Sequence, residues 1–517
     1  MLPEFRNQVY TNFSDEKIYR QMEETLAEVE AKFGHEYSLL IDGQPVKTQE
    51  KFKSYNPSDK DQIIGVFQKA SSNEVDLAIK AATRAFESWR HFPAKERAMV
   101  LLRAAEIMKR RRLEIDAWMI YEVGKSWIEA DADVAEAIDF LEFYSREMLR
   151  YAETQPVTPV PGEFPELVYI PLGVGAIIPP WNFPMAILTG MSSAAIVTGN
   201  TILLKPASDA PMIGQLFVEI MQEAGLPAGV LNFVTGSGAN IGDYIVTHPQ
   251  IRFISFTGSK EIGLRINQLA AKPQQGQIWI KRVVAEMGGK DTIIVDSECN
   301  LEAAVQATVA SAFGYQGQKC SACSRVVVLQ DIYDEFVERL VERTKKITVG
   351  PVKDHTNYMG PVINQSALEK ILYYIEIGKK EGKLVIGGNK VPGNGFFVEP
   401  TIIKDVSPTA RIAQEEIFGP VLAVIKAKDF NEAVAIANNT EYGLTGAVFS
   451  TNRANINYAK QKFFVGNLYI NRKCTGALVG GHPFGGFNMS GTDSKAGGRD
   501  YLLLFLQAKS ISEKLDY

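Results

Sequence analysis

The chain has 517 residues, of which 46% are hydrophobic and 22% charged, with a formal net charge of −5. This length predicts about two or three domains with a sizeable core, and the composition is ordinary for a soluble globular protein. The acidic balance excludes the basic field that a nucleic acid or an acidic membrane would require as a partner. Four cysteines cannot form a disulfide framework, so we expect a reducing compartment, the cytoplasm.

We expect neither a secretory signal nor a membrane span. The first twenty residues mix acidic and basic side chains without an apolar core. The longest uncharged stretch, residues 167–204, is broken by Asn182 and by several prolines and glycines, which excludes a continuous spanning helix. Buried strands, a polar-lined loop and a core helix are predicted there instead, and the loop is a candidate site.

Helical spacing dominates the first part of the chain. Ser72 or Asn73 is the predicted cap of one helix, and a longer helix follows from about Glu96. The basic run at residues 109–112 lies within this pattern. We interpret it as a solvated helix face and not as a nucleic-acid site.

Short apolar runs that alternate with helices begin at Gly173. The predicted buried strands are residues 174–178, 201–204, 230–234 and 251–256 in a first unit, and 292–295, 325–329, 421–425, 447–449 and 465–470 in a second. Pro211 and Gly225 lie near the two ends of one intervening helix, as expected for helix termini. The alternation predicts an α/β fold whose parallel sheets are covered on both faces.

Two extended segments lie outside this alternation. One is proline-rich (residues 156–165), and the other is the tail after Lys495. Because extended segments outside a core often pair with another subunit, we expect at least a homodimer. A surface hairpin on a monomer is the alternative.

Two glycine-containing turns each follow a strand and open a helix, where the phosphates of a dinucleotide would bind. The first, residues 236–242, includes Gly238 and Gly242, but its spacing exceeds the dinucleotide fingerprint by one residue, and a simple tight turn is the alternative. The second includes Gly258 and Ser259. The Ser259 hydroxyl is suited either to a phosphate or to capping the helix.

Lys205 ends another predicted strand. A lysine at the carboxyl end of a parallel strand points into the ligand crevice and suits a ribose hydroxyl or a phosphate. An ordinary surface lysine is the alternative reading.

Three residues have the chemistry of a covalent catalytic site. Cys320 lies among small residues, which suits a nucleophile, although an inert buried cysteine is the alternative. Glu286 lies beside two glycines at the joint between the units, and an apolar setting would raise its pKa towards that of a general base. A salt-bridged junction residue is its alternative. Asn182, fixed between prolines, suits an oxyanion donor or a simple turn.

Taken together and in this order, these segments resemble the aldehyde dehydrogenase superfamily from about Lys51 to the C-terminus. The resemblance implies that Cys320 is the nucleophile, Glu286 the general base and Asn182 the oxyanion donor, with no metal. It implies NAD as cofactor, with contacts from Trp181, Lys205, Ser208, Gly238, Gly242, Gly258, Ser259, Glu416 and Phe418.

The resemblance also implies the domain organisation. N-terminal helices and a Rossmann-like cofactor domain would occupy residues 1–153 and 172–285. The α/β catalytic domain would occupy residues 286–485. A β oligomerisation arm would consist of residues 154–171 and 486–517.

One branch of the superfamily resembles the chain further, in residues 320–325, 475–477 and 480–486 and in the long N-terminal extension. That branch oxidises L-glutamate γ-semialdehyde to L-glutamate in proline and arginine breakdown. The resemblance implies that Ser321, Gly476 and Ala477 bind the α-carboxylate, and that Phe183 and Phe484 enclose the aliphatic middle. The alternatives are another semialdehyde dehydrogenase, such as one for succinic semialdehyde, where a basic side chain is expected, or an inactive structural homologue.

Two positions need separate interpretation. Many NAD-preferring members have a glutamate at the position of Ser208, and its absence predicts that NADP is also accepted, with NAD preferred. Cys323, three residues after the nucleophile, is interpreted as a small packing residue. A redox-protective disulfide is its alternative.

Overall fold

The structure, a computed structural model, describes residues 3–515. Its helices cover both faces of two large sheets. The α-helices are α1 (Glu16–Glu30), α2 (Ser72–Trp89), α3 (Ala94–Arg110), α4 (Arg112–Val123), α5 (Trp127–Ala152), α6 (Ala186–Val197), α7 (Pro211–Glu223), α8 (Asp243–Thr247), α9 (Lys260–Ala270), α10 (Leu301–Phe313), α11 (Tyr333–Thr344), α12 (Gln365–Glu381), α13 (Arg411–Gln414), α14 (Phe430–Asn438) and α15 (Arg453–Lys462).

The strands form two large sheets and two small ones. They are β1 (Glu36–Tyr37), β2 (Leu39–Ile41), β3 (Gln44–Val46), β4 (Lys51–Asn56), β5 (Asp59–Gln68), β6 (Glu163–Pro171), β7 (Val174–Ile178), β8 (Thr201–Leu204), β9 (Leu231–Phe233), β10 (Phe253–Thr257), β11 (Arg282–Glu286), β12 (Asp291–Val295), β13 (Cys323–Leu329), β14 (Lys383–Ile386), β15 (Thr401–Lys404), β16 (Val421–Ala427), β17 (Thr445–Phe449), β18 (Asn467–Ile470) and β19 (Leu506–Lys514).

The first large sheet has the strand order β11-β10-β7-β8-β9-β2-β3. Its first five strands are parallel, and β7 and β8 are short apolar runs that are buried along almost their whole length, as parallel strands covered on both faces are. The edge strands β2 and β3 are antiparallel and were not predicted. The uncharged stretch forms β7, a loop and the buried helix α6, as expected.

The second large sheet has the order β14-β15-β16-β13-β12-β17-β18. All of its strands are parallel apart from β14, which is antiparallel to β15. All five strands predicted for the second unit occur in it. The α/β prediction of parallel sheets is therefore confirmed for both units, with antiparallel strands added only at their edges.

The first part of the chain differs most from expectation. Residues 36–68 form strands, including the small sheet β1-β5-β4, where helices were predicted. The cap of α2 is Ser71, one residue before the predicted position, because Ser71 and Glu74 form a reciprocal capping box.

The basic run at residues 109–112 is not a solvated helix face. It spans the break between α3 and α4, and all four of its side chains make ion pairs with residues of α5 or α7. Lys109 pairs with Glu142 at 2.6 Å, and Arg112 pairs with the buried Asp131 at 2.6 Å. The run therefore holds helices together.

The two predicted extended segments pair with each other. β6 and β19 form an antiparallel two-stranded ribbon, with Glu163 opposite Lys514 and Pro171 opposite Leu506. No helix among residues 3–515 is long and apolar enough to cross a membrane.

Candidate active site

A cavity of about 950 Å³ lies beyond the carboxyl ends of β7, β8 and β10, where an α/β sheet binds its ligands. It is closed on its other side by residues of the second unit, including Cys320 and Phe418. All of the predicted cofactor contacts line it, namely Trp181, Lys205, Ser208, Gly238, Gly242, Gly258, Ser259, Glu416 and Phe418. The cavity is in the size range of small-molecule sites.

Lys205 follows β8 directly and is buried, so the surface-lysine reading is wrong. Its Nζ donates to the carbonyl of Pro206 at 3.0 Å. Burial lowers the pKa of Lys205 to about 8, while the nearby Asp209 raises it. A lysine that is poorly solvated in this way gains from an anionic or hydroxyl ligand.

The two glycine-containing turns border the cavity. The backbone of Gly238 to Gly242 makes a single wide turn before the short helix α8. A Cβ built on Gly238 or Gly242 would have no atom within 4 Å, so the space beside them belongs to the cavity. At the second turn, the Ser259 hydroxyl caps α9 by accepting from the Ile262 N–H at 3.4 Å. Of the two roles predicted for this hydroxyl, capping the helix is the one seen in the structure.

Three side chains of the cavity lie across the joint between the units. Glu416 accepts from the Gly289 N–H at 3.1 Å and lies against Gly288. The rings of Phe418 and Trp181 meet edge to face at 5.6 Å. Phe418 has a φ of 59°, a conformation that costs free energy in a residue with a side chain and is concentrated at functional sites.

Cys320 is partly exposed at the cavity and follows a strained turn, in which Tyr315 and Gln316 have φ of 52° and 58°. Burial, followed by the charges of Asp291, Glu286 and Glu416, raises the pKa of Cys320 well above its usual range. Burial and these charges both disfavour ionisation of the thiol in the free protein. The sequence predicts a reactive thiolate, which requires that the thiol lose its proton when a substrate binds.

Asn182 lies in the loop that follows β7 and is buried at the edge of the cavity. Its Nδ2 donates to the Gln318 carbonyl at 3.0 Å, two residues before Cys320. The amide is thus fixed beside the cysteine, more firmly than a simple turn requires.

Glu286 ends β11 and is held by a segment from the C-terminal part of the chain. Its Oε1 accepts from the Ser494 hydroxyl at 2.6 Å, and its Oε2 accepts from the Gly486 N–H at 3.1 Å. Burial raises the pKa of Glu286 to about 7, as predicted. Among residues 3–515 Glu286 makes no ion pair, so the salt-bridge alternative is wrong, and it does not line the cavity.

The five predicted substrate contacts do not line the large cavity either. The Cys474 Sγ, two residues before Gly476, donates to the Ser321 carbonyl at 3.4 Å. Phe183 packs edge to face against Tyr315 at 6.5 Å. Phe484 pairs by backbone with Ala496, next to the segment that holds Glu286.

Sequence reasoning missed a cluster of charged side chains beside the cysteine. Lys319, directly before Cys320, pairs with Glu129 at 2.6 Å. Lys125 pairs with Asp133 at 3.0 Å, and both are fully buried. Glu136 forms no hydrogen bond or ion pair within residues 3–515, and burial, then Asp133, raises the pKa of Glu136 to about 8.

A signal for this cluster exists in the sequence of α5. Glu129, Asp133 and Glu136 are spaced by four and three residues, so they lie on one face of a helix that otherwise buries apolar side chains. A further basic group, Lys473, lies against Gly476, with its Cε 3.3 Å from a Cβ built there. Burial and the charge of Lys319 lower the pKa of Lys473.

Cys323 is buried in the core of the second unit, as expected of a packing residue. Its Sγ donates to the Arg325 carbonyl at 3.2 Å, and all four cysteines are free.

Comparison with known proteins extends over nearly the whole chain. The profile of the aldehyde dehydrogenase family matches residues 45–511. The chain is 56% identical to a protein of a Geobacillus species named 1-pyrroline-5-carboxylate dehydrogenase, over 99% of this chain and 100% of that one. A protein of the same name from Bacillus cytotoxicus is 55% identical, with 100% of both chains covered.

Solved structures agree with this. The structure of 1-pyrroline-5-carboxylate dehydrogenase from Thermus with bound NAD superposes with a TM-score of 0.98, at 49% identity and with 99% of each chain covered. Betaine aldehyde dehydrogenase from Staphylococcus aureus in complex with NAD+ has a TM-score of 0.90 at 29% identity, over 96% of this chain and 98% of that one.

Proposed function

The chain belongs to the aldehyde dehydrogenase family, and on this premise we propose that it oxidises L-glutamate γ-semialdehyde to L-glutamate with NAD. The semialdehyde is the open form of 1-pyrroline-5-carboxylate, the compound in the names of the relatives. Its place in proline or arginine breakdown is part of the proposal. Full-length identity above one half supports it.

The observation that carries the proposal is the charged cluster beside Cys320. A simple aliphatic aldehyde has no charge, and burying ionised side chains next to it would cost free energy without return. The semialdehyde has an ammonium and a carboxylate at the end remote from the aldehyde. Glu136 is suited to the ammonium, and Lys319, Lys473 and the backbone N–H groups at Gly476 and Ala477 to the carboxylate.

NAD fits the large cavity by the chemistry of its walls. Lys205 and Glu416 would hold ribose hydroxyls, and the turns at Gly238 and Gly258 would receive the phosphates. When bound, NAD supplies the hydride acceptor for the oxidation. Trp181 and Phe418 would exclude water from the end nearest Cys320.

The chain's own residues would act in two stages. In the first, the Cys320 thiol would release its proton to water and its Sγ would bond to the aldehyde carbon, while Asn182 and the Cys320 N–H would stabilise the oxyanion formed from the carbonyl oxygen. Oxidation leaves a thioester on Cys320. In the second, Glu286 takes a proton from water, the hydroxide attacks the thioester, and glutamate leaves as the thiol is restored.

The test is nicotinamide reduction by the purified protein with glutamate semialdehyde, succinic semialdehyde and simple aliphatic aldehydes. We expect the highest kcat/KM with the first and its loss in Cys320→Ala. Activity with simple aldehydes alone would reject the charged substrate. No activity with any of them, despite NAD binding, would favour the inactive structural homologue.

Succinic semialdehyde is the second candidate substrate, because two basic side chains lie beside the site. A basic side chain is its expected mark, and both Lys319 and Lys473 lie beside the site. Because both semialdehydes have a carboxylate that these lysines could bind, recognition of the carboxylate does not distinguish the two substrates. Glu136 separates them, since succinic semialdehyde has no ammonium for it to bind.

Ser208 supports acceptance of NADP beside NAD. Its Oγ donates to the Gly236 carbonyl at 3.4 Å, and it places no carboxylate in the cavity. Asp209, the next residue, also lines the cavity, but its carboxylate accepts from the Asn364 amide at 3.0 Å, and burial raises its pKa. Discrimination against NADP as strong as that of relatives with a glutamate at this position would contradict this.

The assembly and the location are also part of the proposal. The ribbon of β6 and β19 has unpaired strand edges, which supports pairing with a second copy of the chain. Four free cysteines support a reducing compartment, the cytoplasm. The proposed domains are a cofactor domain with the N-terminal helices (residues 1–153 and 172–285), a catalytic domain (residues 286–485) and an oligomerisation arm (residues 154–171 and 486–517).

A further inference from the structure

The match to the family profile begins at residue 45. Part of the chain before it lies against α5 and against the loop that contains Gly476 and Ala477, the predicted carboxylate site. We call residues 3–12 the N-terminal segment. It contains no helix or strand, yet aspartates of α5 hold its backbone. Asp139 accepts from the Gln8 N–H at 2.8 Å, and Asp131 accepts from the Thr11 N–H at 2.8 Å. The segment is therefore docked on the helix that bears Glu129, Asp133 and Glu136.

Asn7 connects this helix to the loop of the predicted carboxylate site. Its Nδ2 donates to the Asp139 Oδ2 at 2.9 Å and to the Val479 carbonyl at 3.0 Å, so both N–H bonds of one amide are used. Val479 is buried and follows Gly476 and Ala477 closely in the chain. One side chain thus joins two elements that would contact opposite charges of the substrate.

Neighbouring residues of the segment reinforce the same contact. The Phe5 ring meets Phe143 of α5 edge to face at 5.1 Å and lies 3.2 Å from a Cβ built on Gly480. Tyr10 lies near Glu136: burial, followed by the Glu136 charge, raises the pKa of Tyr10. The segment therefore touches both α5 and the loop, and its Tyr10 lies within the influence of the Glu136 charge.

The rest of the loop is held independently at two other points. Arg472 donates to the Gly476 carbonyl at 2.7 Å, and the Gly480 N–H donates to the Gly497 carbonyl at 2.8 Å. The second bond also connects the loop to α5, because the Gly497 N–H donates to the Tyr144 hydroxyl of α5 at 2.8 Å. The side chain of Asn7 is a second link between the loop and α5, and it is the one that the N-terminal segment supplies.

We infer that the N-terminal segment is part of substrate recognition, with Asn7 a positioning residue that fixes the Gly476–Ala477 loop relative to α5. The inference rests on the proposed function. Asn7 contacts neither Cys320 nor the large cavity. Its loss should therefore weaken binding of an aldehyde with a charged remote end and leave the oxidation step intact.

The test compares Asn7→Ala with the unaltered protein on glutamate semialdehyde and on butanal. Loss of hydrogen bonds of this kind predicts a KM for the semialdehyde that is about fivefold higher. The kcat, the KM for NAD and the kcat/KM for butanal should stay within about twofold. Asn12→Ala is the matched control, because the Asn12 side chain bonds only to the nearby Ser14 N–H and should leave every constant unchanged.

Asn7→Asp is the second variant, since it keeps the size of the side chain and replaces the donor by an acceptor facing two acceptors. It should raise the semialdehyde KM at least as much. An unchanged semialdehyde KM in both variants overturns the inference. Equal losses on both aldehydes with a lower Tm also overturn it, because they indicate a purely structural role. If the unaltered protein shows no preference for the semialdehyde over butanal, the proposed function itself fails.

Discussion

At the scale of single residues, the thiol of Cys320 and the carboxyl of Glu286 affect each other's protonation. The Glu286 charge contributes to the raised pKa of Cys320, and burial leaves Glu286 with a pKa of about 7. Glu286 is thus a competent base near neutral pH, while its charge opposes ionisation of the nucleophile. The two groups are suited to act one after the other and not together.

Glu286→Gln should separate the two stages of the reaction. The amide removes the charge that raises the Cys320 pKa, so the first turnover should still release NADH in a burst. It cannot accept a proton from water, so glutamate release should slow by about 10²–10⁴-fold. Stopped-flow absorbance gives the burst, and steady-state rates give the release. Equal loss of both would contradict the assigned role, and Cys320→Ala should show neither.

Ser494→Ala should change the pH dependence of the reaction. The Ser494 hydroxyl stabilises the ionised form of Glu286, so its removal should raise the Glu286 pKa further. A hydrogen bond to a charged group predicts a shift of about one pH unit to the alkaline side in the limb of the kcat profile that rises near pH 7. Ser490→Ala, which removes the acceptor of the Gly443 N–H and does not touch Glu286, should leave that midpoint unchanged. An unshifted midpoint in Ser494→Ala would show that another group controls the limb.

At the scale of elements, one helix depends on the side chain of another for its N-terminus. α7 has no capping side chain of its own, and Glu122 of α4 accepts from the Met212 and Ile213 N–H groups at 2.8 and 3.0 Å. Ser54 donates to the same carboxyl at 3.1 Å. Glu122 therefore ties α7 to β4 of the small N-terminal sheet.

Glu122→Ala should destabilise the protein by about 2–3 kcal/mol, because two buried N–H groups lose their acceptor. Glu122→Gln should cost less, since one acceptor oxygen remains. Thermal unfolding at fixed protein concentration measures both. Equal losses in the two variants would show that the charge, and not the capping bonds, determines the effect.

The elements differ in how far the sequence predicts them. Residues 174–178 and 201–204 were predicted with the correct bounds, because a fully buried strand is a continuous apolar run between breakers. The strands of residues 36–68 were missed, because β1 to β3 have only two or three residues, β4 and β5 are only partly buried, and β2 pairs with the distant β9. The pKa of Glu286 was predicted from its setting. The ion pair of Lys319 with Glu129 joins residues 190 positions apart, which local spacing does not reveal.

At the scale of the whole molecule, the ribbon of β6 and β19 is the element whose stability a single chain accounts for least. An isolated two-stranded ribbon is marginally stable in water, and its outer edges have unpaired backbone groups. A second copy of the chain would satisfy them.

Removal of residues 506–517 should therefore abolish assembly, since it deletes β19 and leaves β6 unpaired. Light scattering after size exclusion should give the mass of one chain for the truncated protein and at least twice that for the full chain. The same multiple of the chain mass for both would contradict the assignment of the arm.

The C-terminal segment connects the general base Glu286 to the ribbon of β6 and β19. Residues 490–494 run along the edge of β11, where Met287 N–H donates to the Ser490 carbonyl at 2.7 Å, and Ser494 holds Glu286. The same stretch of chain then continues into β19. A change that destabilises the ribbon should therefore also destabilise residues 490–494, which orient Glu286. Specific activity should therefore fall on dilution, as subunits dissociate, and recover when the solution is concentrated again.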